Sequence, residues 1–211
     1  MMIYFPQWRA LDTAEVATKS MHNLYPLRGA QVRDANVWWK ALDDVLVRYG
    51  DRTDVVFAQH NWPTWGAAAL VPYLEGQRDV YKFIHDQTLR LANQGLTPDE
   101  IGDTLELPPS LAARWDVRGY YGTVSHNARA VYQRYLGWYD GNPANLHPLP
   151  PEEAARKYVA FMGGRDRVLE QARESYAKGE YRWVAEVVGR LVFADPSDQA
   201  ARHLEADALE Q

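Results

Sequence analysis

The chain has 211 residues, no cysteine and a formal net charge of −5, and 46% of its residues are hydrophobic. This hydrophobic content is enough for a globular core, whereas the lack of cysteine excludes a disulfide scaffold, cysteine-ligated zinc and a thiol nucleophile. The acidic balance disfavours a nucleic-acid partner. No apolar run approaches the roughly 18 residues of a transmembrane helix. The first residues lack the basic and apolar regions of a signal peptide.

Short strand-like runs alternate with a helical stretch in the first third of the chain. Ile3–Phe5 is strand-like, and residues 55–58 form a short apolar run, β-branched at its start, which predicts a buried strand. Apolar residues recur at helical spacing over residues 34–49. This alternation predicts an α/β region that ends near Gly66.

The chain after Gly66 contains no convincing strand signal. Its helical periodicities are interrupted by glycine and proline turn signals, for example at residues 95–98 and 141–143. We therefore predict an α/β part over residues 1–66, an all-α part over residues 67–211, and a predominantly helical chain overall.

Residues 96–111 have the pattern of a helix-turn-helix, with a capped first helix and a second helix that starts at Ser110. The second helix would be a poor reader of DNA, because it would carry Arg114 and no amide side chain for base edges. We therefore expect no nucleic-acid partner.

Residues 172–211 follow the small and large residue spacing of a single tetratricopeptide-like helical hairpin. One such repeat cannot bury its apolar face alone, so it must pack on the preceding helices or on another chain. Aromatic residues are also frequent, with eight Trp and thirteen Tyr in the chain. Such side chains either fill cores or form walls for apolar ligands and partners, and both uses are open here.

Two residues that follow strand-like runs are candidates for chemistry. Glu15 comes after the first run and His60 comes just past the end of the second, where α/β folds place their functional groups. Taken alone, a single histidine near apolar residues is more often structural, and a single glutamate is more often a surface residue.

Five segments together resemble the alkylsulfatases of the metallo-β-lactamase superfamily, which hydrolyse detergents of the dodecyl-sulfate type. The resemblance covers nearly the whole chain, and it is carried by residues 4–6, 21–30, 60–66, 119–127 and 140–147. It implies that residues 1–66 are the C-terminal part of a metallo-β-lactamase αββα catalytic domain. It also implies that residues 67–211 are a helical dimerisation domain, and hence that the protein is a homodimer.

The resemblance assigns metal ligands to two positions. Glu15 matches a carboxylate that bridges two zinc ions, and His60 matches a histidine on the second zinc. The family's His-x-His-x-Asp-His cluster has no counterpart in this chain. A binuclear site needs roughly six to eight donors, so we expect the isolated chain to be inactive. Mixed carboxylate and imidazole ligation also suits iron or manganese.

The resemblance assigns sulfate contacts to Asn23, Arg28, Arg33 and Tyr121. A guanidinium group offers paired donors to a sulfate group, although an arginine at such a position is by itself more often part of a surface ion pair. Tyr121 belongs to the helical part, so its assignment implies one pocket shared by both parts. A helix-capping or core role is favoured for His126. The remaining histidines are interpreted as structural or exposed: His22, His85, His147 and His203.

The resemblance implies hydrolysis of alkyl sulfate esters to alcohol and sulfate by a water that zinc activates. Two alternatives remain. In the first, the chain is a non-catalytic helical dimerisation or interaction module. In the second, it belongs to a hydrolase of other sulfuric or phosphoric esters, since the arginines would accept either anion.

Overall fold

The computed structural model describes residues 1–211 and places a small sheet ahead of a series of helices. The strands are β1 (Ile3–Phe5), β2 (Ala10–Asp12), β3 (Val55–Phe57) and β4 (Thr64–Trp65). The helices are α1 (Ala35–Tyr49), α2 (Ala67–Ala92), α3 (Pro98–Thr104), α4 (Pro109–Ala112), α5 (Val124–Leu136), α6 (Pro151–Phe161), α7 (Arg165–Ala177), α8 (Tyr181–Ala194) and α9 (Gln199–Leu209). The predicted class, a short α/β part followed by helices, is confirmed.

The sheet has the strand order β1-β2-β3-β4. Strands β2 and β3 are parallel, with Asp12 opposite Phe57, and both outer pairs are antiparallel. The carboxyl ends of β2 and β3 therefore meet at one edge of the sheet. The sequence analysis missed β2, which lies between β1 and Glu15, because a three-residue strand is too short to show a period of two.

The first compact unit, Met1–Gly141, has a core formed between the sheet and its helices. Helix α1 begins where Asp34 accepts hydrogen bonds from the backbone N–H groups of Asn36 and Val37, at 2.9 and 3.2 Å. This cap satisfies free N–H groups of the first turn and explains why the helix predicted over residues 34–49 forms there. Its buried Leu42 belongs to the same core cluster as Leu11 of β2.

The second compact unit, Asn142–Gln211, contains helices α6 to α9 and has its own core. That core includes Val184 and Val188 of α8 and Ala201 of α9, all fully buried. Helices α8 and α9 pack together as a hairpin, and its tetratricopeptide-like character stays a prediction. The domain boundary after residue 66 also stays a prediction, because the two compact units are separated by packing and not by strand or helix content.

The segment with the helix-turn-helix pattern forms α3 and α4. Thr97 and Glu100 make a capping box at the start of α3, in which Glu100 Oε2 accepts from the Thr97 N–H at 2.8 Å. Helix α4 begins at Pro109, one residue before the predicted Ser110, because proline at the first helical position needs no N–H partner. The helix ends after one turn. No helix in the chain is both long and apolar enough to cross a membrane.

Candidate functional site

Glu15 and His60 lie next to each other at the edge of the sheet where β2 and β3 end. Backbone pairing continues beyond the strands, since the Thr13 N–H donates to Phe57 O at 2.9 Å and the Gln59 N–H donates to Ala14 O at 3.4 Å. This pairing carries both loops outward side by side. As a result, His60 Nε2 lies 3.4 Å from Glu15 Oε1.

The backbone has a positive φ on both sides of this pair. Ala14, which precedes Glu15, has a φ of 49°, and Asn61, which follows His60, has a φ of 74°. Asparagine tolerates positive φ, whereas alanine rarely adopts it and does so at a cost of about 1 to 3 kcal/mol. Strain of this kind concentrates at functional sites, where the surrounding structure holds the backbone in place.

His22 is a third member of this group, and the sequence analysis overlooked it. Its ring is buried, and its Nε2 lies 3.6 Å from Oε2 of Glu15. Its Nδ1 lies 2.9 Å from the carbonyl oxygen of Asn23, which only accepts hydrogen bonds, so Nδ1 carries a proton. Burial lowers the pKa of His22 and so favours the neutral ring, whose lone pair is then on Nε2.

The three side chains form a set of donors that fits a metal ion. One ligand atom from each of Glu15, His22 and His60 lies within 4.8 Å of the others. In the neutral tautomer, the His22 Nε2 lone pair faces a carboxylate oxygen, and two acceptors at this distance repel each other unless a cation lies between them. Imidazole nitrogen and carboxylate oxygen are the donor types that zinc binds, and a ligating histidine commonly donates its other ring N–H to a carbonyl group.

Arginine side chains lie beside the donor set, as the sequence analysis predicts. Arg28 Nη1 donates to Tyr121 Oη at 3.3 Å. Arg33 Nη1 donates to both the carbonyl and the side-chain oxygen of Asn23, at 2.9 and 2.8 Å. Its Nη2 is 3.9 Å from Oε2 of Glu15. Arg33 is thus held by Asn23 and faces the same carboxylate as the histidines.

One cavity of about 730 Å³ joins the acidic and basic groups. Five of the six predicted site residues line it, namely Glu15, Arg28, Arg33, His60 and Tyr121. The sixth, Asn23, is buried behind the wall and holds Arg33. The cavity is also lined by residues that sequence reasoning did not assign: His22, Arg118 and Tyr120.

Helices α2 and α5 hold the segment that carries His22 and Asn23. The backbone N–H of His22 donates to Tyr81 Oη of α2 at 2.8 Å. On α5, Asn127 Oδ1 accepts from the Leu24 N–H at 2.8 Å, while its Nδ2 donates to the His22 carbonyl at 3.0 Å. Asn127 is buried, so these bonds are made without competition from water.

Residues 119–122, which include Tyr121 and begin and end with glycine, lie directly against the segment that carries His22. Met21 forms a parallel bridge with Gly119, and the Gly122 N–H donates to Met21 O at 2.8 Å. A Cβ atom on Gly122 would lie 2.5 Å from the carbonyl carbon and oxygen of His22. Only glycine fits this close approach, and the approach brings Tyr121 to Arg28.

Two other histidines make structural contacts within the chain. His126 lies in the first turn of α5, where its Nδ1 is 2.8 Å from the Oγ1 of the capping residue Thr123. This position agrees with the helix-capping interpretation. His85 is buried and lies 2.9 Å from Tyr135 Oη through Nε2 and 2.7 Å from Asp86 through Nδ1.

A family model described as Alkyl sulfatase dimerisation matches residues 97–211, which is more than half of the chain. The chain belongs to this family. It is 59% identical over its whole length to an alkyl/aryl-sulfatase of Saccharomyces cerevisiae and covers 33% of that protein. It is 53% identical to an (R)-specific secondary-alkylsulfatase of Pseudomonas sp, of which it covers 32%.

A solved structure gives the same result for the fold. The stereoselective inverting sec-alkylsulfatase Pisa1 from Pseudomonas sp. superposes on the whole chain with a TM-score of 0.95 and 53% identity. The chain spans about a third of the length of these relatives. The predicted resemblance to alkylsulfatases is confirmed, while the zinc ions and the metallo-β-lactamase assignment stay predictions.

Proposed function

We propose that this chain supplies part of the active site of an enzyme that hydrolyses alkyl sulfate esters to alcohol and sulfate. The observation that carries the proposal is the single cavity in which Glu15 and His60 face Arg28 and Tyr121. The names of its relatives, alkylsulfatases from two organisms, support the same substrate class.

The basic side of the cavity suits the sulfate group. A sulfate ester carries one negative charge over three oxygens, and guanidinium groups offer paired donors to such an anion. Arg28 already donates to Tyr121, so the two side chains can bind neighbouring sulfate oxygens. Arg33 cannot swing freely, because Asn23 accepts two hydrogen bonds from it. Such fixed donors stabilise charge without reorganising during the reaction.

The acidic side suits the metal ions that the family resemblance implies. We propose that Glu15 and His60 would hold the zinc, with His22 facing the second oxygen of Glu15. Bound zinc supplies Lewis acidity and lowers the pKa of a water to about 7. The pairing of the Gln59 N–H with Ala14 O holds the two loops that carry these residues side by side.

We expect the isolated chain to be inactive. Its cavity brings together three candidate donors, whereas two catalytic metal ions need roughly six to eight. Release of inorganic sulfate from dodecyl sulfate by the pure chain in the presence of zinc would contradict this expectation.

The function is tested by a chimera in which this chain replaces the matching third of the Pseudomonas (R)-specific secondary-alkylsulfatase. We expect the chimera to release sulfate from alkyl sulfates, because 53% identity and a TM-score of 0.95 predict a compatible fold. Within it, Glu15→Gln and His60→Ala should each lower the rate at least about 100-fold. Arg28→Ala should lower it about 100- to 1000-fold.

A matched control is Arg48→Ala in the same chimera, because Arg48 is an exposed arginine that pairs with Asp44 on α1. Its activity should equal that of the parent chimera. A folded chimera without activity, or one that keeps full activity with Glu15→Gln, contradicts the proposal.

A second function, self-association, is favoured by the family description and by an apolar surface on the second unit. Leu149, Tyr158 and Phe161 line a cavity of about 820 Å³ beside α6, and Phe161 is 92% exposed. Exposed apolar surface of this kind commonly marks a protein interface. We propose that a second copy of the chain covers it in a homodimer.

Light scattering coupled to size-exclusion chromatography tests the homodimer. Phe161→Asp should convert the dimer to a monomer, whereas Val47→Asp, at an exposed apolar position on α1, should leave the dimer intact. A monomeric parent chain would contradict self-association. If the parent chain dimerises but the chimera is inactive, the result would favour the alternative function, a non-catalytic dimerisation module.

A further inference from the structure

Two exposed tryptophans beside the cavity have no role in the function proposed above. The rings of Trp62 and Trp115 are tilted by 36° with their centroids 5.6 Å apart, and the two residues are 60% and 50% exposed. Neither belongs to the core of the first unit. We call this pair the tryptophan patch.

A cation lies against each ring of the tryptophan patch. Lys19 Nζ lies 4.9 Å from the Trp62 ring centroid, and the Arg118 guanidinium carbon lies 3.8 Å from that of Trp115. These are cation–π contacts, and they orient the rings while leaving much of their surface open to solvent. The patch is therefore an apolar surface with a positive charge beside each ring.

Arg118 joins the tryptophan patch to the cavity. Its guanidinium lies on Trp115 and is held by the carbonyl oxygens of Trp115 and Lys19, at 2.7 and 3.4 Å from Nη1. The same residue lines the cavity that contains Arg28 and Tyr121. Asn61, the neighbour of Trp62 in sequence, also lines that cavity. The patch is therefore continuous with the mouth of the cavity.

We propose that the tryptophan patch is the subsite for the alkyl tail of an anionic amphiphile whose sulfate group lies in the cavity. This proposal rests on the function proposed above. The charges support a small amphiphile as occupant, because the anionic head meets Arg28, Arg33 and Arg118 while the first methylene groups pass over the rings. Flat aromatic faces bind alkyl chains of any length without requiring one conformation, since the attraction is dispersion and apolar burial.

The affinity of a series of alkyl sulfates for the chain tests the subsite. Methyl, butyl, hexyl and octyl sulfate would be titrated by calorimetry below their critical micelle concentrations. Complete burial of one methylene raises the affinity about fourfold. A methylene that packs on one open ring face is only partly buried, so each added methylene should raise the affinity about twofold. In Trp62→Ala or Trp115→Ala, each added methylene should leave the affinity almost unchanged. Methyl sulfate should bind these variants as it binds the parent chain.

Trp8→Ala is the matched control. Trp8 is 67% exposed, and it lies between Phe5 and Ala10, which pair at the end of the sheet opposite Glu15. Its removal should leave the methylene increment unchanged. An increment that is the same in Trp62→Ala and in Trp8→Ala overturns the proposal. A loss of self-association in Trp62→Ala with an unchanged increment also overturns it, because the patch is then a protein interface.

The failure of this proposal is distinguishable from that of the proposed function. Loss of methyl sulfate binding in Arg28→Ala tests only the sulfate site, whereas the methylene increment tests only the patch. Octyl sulfate that binds the parent chain no more tightly than methyl sulfate overturns the tail subsite.

Discussion

Nε2 of His60 lies 3.4 Å from Oε1 of Glu15, although the two residues are 45 positions apart in the chain. The parallel pairing of β2 with β3 produces this proximity, because both loops leave the sheet at the same edge. The opposite oxygen of Glu15 faces His22 at 3.6 Å. One carboxylate thus has an imidazole near each of its oxygens, and Arg33 Nη2 lies 3.9 Å from Oε2.

The first prediction concerns Asn127, which ties α5 to the segment that carries His22. Asn127→Ala removes the partner of the Leu24 N–H and one donor to the His22 carbonyl in a buried place. We expect a loss of about 2 to 4 kcal/mol in the free energy of unfolding, measured in urea. Gln133→Ala on the same helix should cost less than about 0.5 kcal/mol. Equal effects of both substitutions would show that Asn127 is not a structural link.

The second prediction concerns the close approach at Gly122. Gly122→Ala would place Cβ against the His22 backbone, which cannot move aside as a side-chain end can. Overpacking of this kind should lower the free energy of unfolding by about 1 to 3 kcal/mol, measured by denaturant unfolding.

Gly189→Ala is the comparison for Gly122→Ala. Gly189 lies within α8, and a Cβ there would meet only the flexible end of Glu205 at 3.0 Å. The substitution should be neutral or stabilise by up to about 1 kcal/mol, because alanine favours the helix. A stable Gly122→Ala variant would show that the two segments do not need this contact.

The third prediction is a pH dependence in the second compact unit. Arg165 donates to both oxygens of Asp198, at 2.6 and 2.8 Å, and Asp198 also caps α9. The Arg165 guanidinium holds the pKa of Asp198 below its usual value. Because the pKa of Asp198 is lower in the folded than in the unfolded state, its ionised form stabilises the fold. This contribution is complete above the unfolded-state pKa of about 3.9, and it is lost as the pH falls through the folded-state pKa.

Asp198→Asn removes this titration. Thermal unfolding followed by circular dichroism between about pH 3 and pH 6 should show a smaller loss of stability on acidification in Asp198→Asn than in the parent. Asp207→Asn, at a position in α9 outside this bidentate pair, is the control and should follow the parent curve. Parallel curves for Asp198→Asn and the parent would contradict the role of this ion pair.

The sequence predicts the positions of Glu15 and His60 better than it predicts the elements that place them. Helix α1 was predictable from its periodicity, and Glu15 and His60 were placed correctly at strand exits, but β2 was not recognised. His22 is not recognisable as a donor from the sequence, because it lacks a regular spacing to another histidine. Donors from separate loops have no fixed spacing, because the sheet and the helices bring them together. Trp62 and Trp115 meet only through tertiary contacts, so periodicity could not pair them.

The measurement that tests the central claim most directly is calorimetric titration of the chain with Zn²⁺. Three donors should bind about one ion per chain, and Glu15→Gln and His60→Ala should each weaken binding at least about 10-fold. His203→Ala, an exposed histidine on α9, should bind like the parent. Equal zinc affinity in all four proteins would contradict the assignment of Glu15 and His60 as ligands.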